Sequence, residues 1–549
     1  MTQAAIKKPE TNVKETIESI LVAFILAFIF RCFVIEAFVI PTGSMAPTLM
    51  GAHMHFRCAD CGYRFNAGFS VGNEETYAVP QNAPGDYTLF CPNCGYRLPR
   101  TLPDDTANDA QQPEVRYGDR ILVMKYLYLL HDPKRFDVVV FKNPSGDDYS
   151  INYIKRLIGR PGESLFVAQG DIYVAPPGAD PSVPQSYVVQ TKPAAAQEAL
   201  WRIVYDADYV PRQLPRTFQT ARGMPGEDEK WRQPWRQTKG DGWTNADPAK
   251  NASPRTFAFD NPKGAGEISF DHTANPTKGS FTDWLAYDQA GPGGPGTTIG
   301  QGSYATDANG SMVHNVADLK IDFSVDKISE GGVVRAVLGK GETEFVAEIS
   351  VDRIKLIRRS KTETLTLAEA ALSPAISVSQ VSFQNVDYRV AVSIDGKEIL
   401  SSTPEQYAPD VQAIIDQTNN RVASPQGWAR LEASATGSTI SHVRLWRDVY
   451  YIDDEPRVMR ATSASFPSRV LTLQADEFFV LGDNSYQSLD GRYWTADVSL
   501  PGENLYAPPG VVPARFMLGK AFFVYWPAGF RLFGTVPLIP NFGEMRAIR

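Results

Sequence analysis

An apolar segment near the N-terminus constrains this chain more than any other feature. From Ile17 to Ile40 only Glu18, Ser19, Arg31 and Glu36 interrupt it. Its unbroken part, Ile20 to Phe30, is 11 residues long, short against the roughly 20 that span a bilayer. Ile17 and Phe33 extend it, and Arg31 can carry its charge to an interface on a long stem. A cleaved export signal needs small residues after the apolar run, and Arg31-Cys32-Phe33-Val34 supplies none. A soluble helix that is apolar all round would have little to bury against at a terminus. The expectation is a transmembrane anchor over 17–36 behind a cytoplasmic tail, 1–16. Lys7, Lys8 and Lys14 precede the segment, whereas Arg57 is the lone basic residue of 41–60. That asymmetry puts the N-terminus in the cytoplasm and the rest outside, in a single-pass protein of the cytoplasmic (inner) membrane with the lipid bilayer as partner.

With 549 residues the chain exceeds one ordinary domain, and at 43% hydrophobic it can fill several cores. A net charge of −8 with no basic run excludes nucleic acid as an expected partner. The runs "FVIEAFVIP" (33–41), "GDRILVMKYLYLL" (118–130), "FDVVVFKNP" (136–144) and "NYIKRLIGRPGE" (152–163) read as strands of a first unit, 37–176. Composition changes over 177–468. The stretch 177–318 reads as irregular, with Trp201, Trp231, Trp235, Trp243, Trp284 and a "GPGGPG" tract at 291–296. The stretch 319–468 alternates apolar and polar residues, as in "LKIDFSV" (319–325) and "EFVAEISV" (344–351), and carries an Asp395-Gly396 hairpin turn. An antiparallel β-sandwich is expected there, similar to concanavalin-like jelly rolls. As an independent domain it should be removable (180–465) with catalysis still measurable. Exposed tryptophans such as Trp231, Trp235 and Trp243 could stack on a glycan, although such residues are more often core. The partner of the insert, a glycan or a protein, is left open. Residues 469–549 return to the character of the first unit.

Three short stretches carry chemistry. In "FVIPTGSMAPTL" (38–49) Ser44 sits in a Gly/Pro turn, which alone reads as an ordinary turn. A hydroxyl nucleophile needs a base. None of His53, His55, His131, His272, His314 and His442 lies in a Gly-framed motif of its own, so a Ser-His-Asp arrangement is not indicated. Lys155, on an apolar strand, can act as a base if burial lowers its pKa, though most strand lysines are solvated. "GDNSYQSLDGRYW" (482–494) packs Asp483, Asn484, Ser488, Asp490 and Arg492 beside the apolar "FFVLG". Polar groups held so close to a buried strand must satisfy one another or a site.

Together, "IPTGSMAPTL", "YIKRLIGRPGE" and "GDNSYQSLDGRYW" resemble, in order, the motifs of the bacterial type I signal peptidases, membrane-bound Ser-Lys proteases. The resemblance covers about 15–50, 115–176 and 477–530, roughly a third of the chain. It implies a mostly β fold: a transmembrane helix and an all-β catalytic core in two parts, 37–176 and 469–549. It implies a serine endopeptidase that cleaves signal peptides from exported preproteins without a catalytic cofactor. Ser44 would be the nucleophile and Lys155 the general base. Thr42 (hydroxyl) and Ser44 (N–H) would form the oxyanion hole, where a donor is typically worth about 3 kcal/mol. Ser488 would orient the lysine. Arg156, Asp483, Asp490 and Arg492 would form a supporting network, and Phe38, Ile40 and Ile154 would line a pocket for small side chains. Thr42 stands where serine is common, and Gln487 and Gly491 where asparagine and serine are usual; no catalytic atom is lost.

Two near-copies, "CADCGYRF" (58–65) and "CPNCGYRL" (91–98), bring Cys58, Cys61, Cys91 and Cys94 into one set. Paired C-x-x-C knuckles, with Gly62 and Gly95 for the tight turns, point to a structural zinc ribbon over 54–104. The 29-residue gap exceeds the usual 15–20 or so, so the ribbon tip is enlarged. An extracytoplasmic position would favour disulfides instead, but C-x-x-C disulfides are strained redox pairs. Cys32 is left as a buried thiol. Two other readings compete with a protease. One is a membrane-anchored binding module on a catalytically retired core, which should have lost Ser44 or Lys155. The other is a self-cleaving Ser-Lys regulator, which would need a DNA-binding helix pair.

Overall fold

The computed structural model describes residues 13–58, 60–69, 89, 91–95, 114–144, 149–211, 217–218, 229–230, 233–244, 255–272, 281–289, 314–372, 379–420, 422–452, 470–500, 502, 505–533 and 536–549. The chain is mostly β. Its longest described helix, Val13–Ile29, has 17 residues and passes through a π turn, Phe30–Val34, into the strand Ile35–Val39. Here the expected anchor over 17–36 is corrected: its last residues belong to a sheet. Ile35 pairs with Met124, and Lys125 reaches Glu36 at 3.1 Å, which draws the segment into β structure. No helix among the described residues is long and apolar enough to cross a membrane. The helix nonetheless presents its apolar side chains outward, with Ile17, Leu21, Phe24 and Phe28 59–63% exposed.

An eight-stranded antiparallel sheet joins the two ends of the chain. Its order is Ile35–Val39, Arg120–Met124, Met517–Trp526, Val138–Lys142, Asn152–Gly159, Glu477–Leu481 and Val512–Pro513, with Arg546–Ala547 added beside Met517–Trp526. The late strand Met517–Trp526 lies between two early ones, so neither 37–176 nor 469–549 completes the sheet alone. The two-residue period of a strand feeds two cores. Val138 and Val140 join Ile40, Met45, Ile121 and Val524, while Val139 and Phe141 join Leu157, Phe479 and Trp494.

The insert is built on one 21-residue strand, Gly427–Arg447, in a thirteen-stranded sheet. Leu319–Val325, Val333–Lys340, Thr256–Phe270 and Arg202–Asp206 all pair with it. The strands enclose one apolar core that includes Phe257, Ile268, Ile321, Phe345, Val381, Leu431 and Leu445, so the insert is sandwich-like. The stretch 177–318, expected to be irregular, supplies four of these strands: Arg202–Asp206, Trp235–Gly240, Trp243–Thr244 and Thr256–Phe270. The tryptophans explain why. Trp235 and Trp243 are buried and pack on Phe257, Phe259 and Phe270, so they are core and offer no platform to a glycan. Trp231 and the tract 291–296 lie outside the described residues.

The insert is not a free appendage. Within it, buried Lys192 pairs with Asp387 and, at 2.7 Å, with Asp448, and across its border buried Lys340 reaches Asp171 of the first unit at 3.8 Å. Buried Lys340 pairs with Asp318 at 2.9 Å. Removing one partner of such a pair typically costs about 3–5 kcal/mol. The cysteine knuckles dock on the insert as well: the Asn93 amide donates to the Tyr209 carbonyl at 2.9 Å and accepts the Asp206 N–H at 2.7 Å. Removing 180–465 would therefore leave Asn93 of the knuckle and Asp171 of the first unit without these partners.

Candidate active site

Ser44 lies in a one-turn 3-10 helix, Gly43–Met45, just past the strand Ile35–Val39. Lys155 lies on Asn152–Gly159, in the middle of the same sheet. The fold brings these two residues, 111 apart in sequence, into contact: Lys155 Nζ is 2.9 Å from Ser44 Oγ. Both are buried, at 6% and 5% exposure. Lys155 also donates to the Ile154 carbonyl at 3.1 Å. Burial pulls its pKa from 10.5 down to about 8, against the Asp490 and Asp483 carboxylates, which raise it. A neutral amine is therefore within reach near physiological pH, which a base requires.

The supporting charges form two separate pairs rather than one network. Arg156 grips Asp483 with two parallel bonds, 2.7 Å from Nε and 2.6 Å from Nη2. Arg492 grips Asp490 in the same way at 2.8 and 2.7 Å. The four side chains are all but sealed from solvent. Bidentate geometry is what makes such pairs tolerable in a dry interior. Asp490 also accepts the Gly482 N–H at 2.9 Å, so the pair pins the loop that carries Ser488.

Ser488 does not bond Lys155 in this arrangement. Its Oγ is buried with no hydrogen-bond partner among the described residues, because the lysine's bonds go to Ser44 and Ile154. It sits beside the Ser44 turn all the same: a Cβ on Gly482 would lie 2.2 Å from Ser488 Oγ and 2.5 Å from the Ser44 carbonyl oxygen. Leaving a hydroxyl unpaired typically costs about 1–3 kcal/mol. Thr42 is exposed in extended backbone immediately before the turn, and its side chain makes no capping bond to it. Phe38, Ile40 and Ile154 gather in one apolar cluster beside Met45. His53 turns to the Gly51 carbonyl, 2.8 Å away, rather than to Ser44.

Sequence reasoning missed the backing of the turn. The Asn484 N–H donates to the Ser44 carbonyl at 3.0 Å, and the Asn484 amide donates to Asp288 at 2.7 Å. Asp288 and its neighbour Tyr287 belong to the insert, and no motif or spacing marks them.

The four knuckle cysteines converge. Their Sγ atoms all lie within 4.8 Å of one another, with Cys58–Cys94 and Cys61–Cys91 at 3.7 Å, and all four are buried and outside any disulfide. Metal–sulfur bonds of about 2.3 Å in a tetrahedron give sulfur–sulfur edges of about 3.8 Å, whereas a disulfide bond is about 2.05 Å. The donor set therefore fits a tetrahedral zinc ion. Gly62 and Gly95, at φ +80° and +70°, take the left-handed conformation that closes each knuckle. Their N–H groups donate to the Cys58 and Cys91 carbonyls at 2.9 Å.

Comparison with known proteins points the same way. A family model described as signal peptidase, peptidase S26, matches residues 13–64, 105–217 and 389–526, more than half of the chain. The unmatched stretches 65–104 and 218–388 hold the second knuckle and much of the insert. A probable signal peptidase I-2 of Synechocystis is 37% identical over 71 residues, 12% of this chain and 32% of that protein. A signal peptidase I of Rickettsia typhi is 26% identical over 167 residues, 30% of this chain and 45% of that protein. The chain thus spans less than half the length of these curated relatives. Among solved structures, a carbohydrate-binding module, CBM66 from Bacillus subtilis, overlaps 39% of this chain and 94% of its own, at 10% identity and a TM-score of 0.22.

Proposed function

The chain belongs to the signal peptidase family, peptidase S26, and on that footing we propose that it is a serine endopeptidase removing signal peptides from exported preproteins. Neutral Lys155 takes the Ser44 Oγ proton as the oxygen attacks the scissile carbonyl. The Ser44 N–H and the Thr42 hydroxyl receive the developing oxyanion. The lysine ammonium, with the spare Ser488 hydroxyl beside it, then gives its proton to the leaving amine. Water, activated by the same lysine, hydrolyses the acyl-Ser44 ester. The cluster of Phe38, Ile40 and Ile154 admits small side chains next to the cleaved bond, and the substrate lies extended as an added strand. The 2.9 Å contact between Lys155 Nζ and Ser44 Oγ in a dry site carries this reading. It also speaks against a retired protease core serving only as a binding module.

The outward-facing apolar helix Val13–Ile29 supports a membrane anchor that holds the site at the outer face of the cytoplasmic membrane, where preproteins emerge. Cys58, Cys61, Cys91 and Cys94 hold a structural zinc that closes the ribbon and takes no part in the reaction.

Two measurements test the proposal. Ser44→Ala and Lys155→Ala should each lose at least about a thousandfold in cleavage of a preprotein with an Ala-x-Ala site, and full activity in either sinks the assignment. Metal analysis of protein kept reduced should find close to one zinc per chain, and its absence would remove the metal.

A further inference from the structure

The segment 281–289 is part of the insert by sequence, yet it sits against the reacting turn. The Tyr287 ring lies between two glycines. A Cβ on Gly43 would fall 2.4 Å from Tyr287 Cε1, and one on Gly68 would fall 2.7 Å from the same atom. Neither glycine has a positive φ, so the ring and not the backbone conformation demands their missing side chains. Tyr287 is 4% exposed and clusters with Ala46 and Met50, and its hydroxyl donates to the Ala52 carbonyl at 3.4 Å. The next residue, Asp288, holds the Asn484 amide, and the Asn484 N–H holds the Ser44 carbonyl. One dipeptide of the insert thus touches the residue before Ser44 and, through Asn484, Ser44 itself.

We propose that Tyr287 and Asp288 are positioning residues: the insert clamps the Ser44 turn and fixes its Oγ and N–H relative to Lys155. The inference rests on Ser44 being the nucleophile. A turn preceded by glycine is otherwise free to swing, and about 1 Å of misplacement can cost about 100-fold in rate. The clamp also explains why a catalytic chain keeps its insert packed onto the core: without 281–289, Gly43 loses the surface it rests on.

The test uses full-length, detergent-solubilised protein and a preprotein substrate. Tyr287→Ala should lower kcat about 10- to 100-fold, with KM within about twofold and the acid-side midpoint of the pH profile unmoved, because burial of Lys155 is untouched. Tyr287→Phe keeps the ring and should stay near the parent rate. If Tyr287→Ala does not fold, Tyr287→Leu takes its place. Gly43→Ala should be severely impaired, and combining it with the truncated Tyr287 should restore part of the loss, a non-additive cycle that requires direct contact. Full kcat in the truncated variant, or strictly additive effects at 43 and 287, overturns the clamp. Retained activity in Ser44→Ala would instead overturn the nucleophile assignment beneath it.

Discussion

The core sheet and the insert use the same material, antiparallel strands, and treat buried charge differently. The insert's main cluster is apolar, and its buried lysines are compensated, Lys192 by Asp387 and Asp448 and Lys340 by Asp318. A second charge cluster, Arg430 with Glu432 at 2.8 Å and Glu344 at 3.2 Å, lies on its outer face, 14–26% exposed. The core sheet instead buries Lys155, Arg156, Asp483, Asp490 and Arg492 within a few residues of one another. Four of the five cancel as bidentate pairs, whereas Lys155 has no carboxylate within ion-pair distance among the described residues. A charge that serves packing can be neutralised where it sits. The proposed role of Lys155 as base asks for the opposite: a site held dry while the lysine's own charge is left uncompensated.

Three substitutions would sharpen or break this contrast. The largest effect is expected at Asp483→Ala. It strands the Arg156 guanidinium in a sealed interior, and chemical denaturation should show a loss of about 3–5 kcal/mol. A loss below about 1 kcal/mol would mean that water reaches the pair. Next comes Lys155→Met. Lys155 has a folded pKa of about 8 against an ordinary 10.5, so below pH 8 the folded state holds a charge it disfavours. Removing that charge should raise stability by about 3 kcal/mol below pH 8, and the gain should fade as pH rises toward 10.5. The same titration sets the parent's activity, which should fall about tenfold per pH unit below the lysine's pKa. The smallest effect, at most about 1 kcal/mol, is expected at Glu432→Ala on the insert's outer face.

How legible all this was in the sequence differs by residue. That Ser44, Lys155 and the charged loop come together could be read, because the three stretches match one family's motifs in order and the structure brings Lys155 Nζ to 2.9 Å from Ser44 Oγ. The end of the anchor could not. Ile35–Val39 is as apolar as a membrane segment, and only its pairing with Arg120–Met124 reveals a strand. Trp235 and Trp243 looked like exposed aromatics because their neighbours, such as Arg236 and Lys239, are charged; in a hairpin those neighbours face the other way. The two separate ion pairs were read as one network, since sequence gives proximity but not partners. Tyr287 had no signal at all, because its importance comes from two glycines more than 200 positions earlier.

The Arg156–Asp483 pair joins residues 327 apart in the chain. Synthesis at about 5–20 residues per second leaves roughly 15–65 s between the appearance of the two. During that interval the ribosome has already made Ser44 and Lys155, but not Asp483, which holds Arg156 beside the lysine on its strand. A chain at that stage also lacks Met517–Trp526, the strand between Arg120–Met124 and Val138–Lys142, so the sheet that carries Lys155 closes only when nearly the whole length exists.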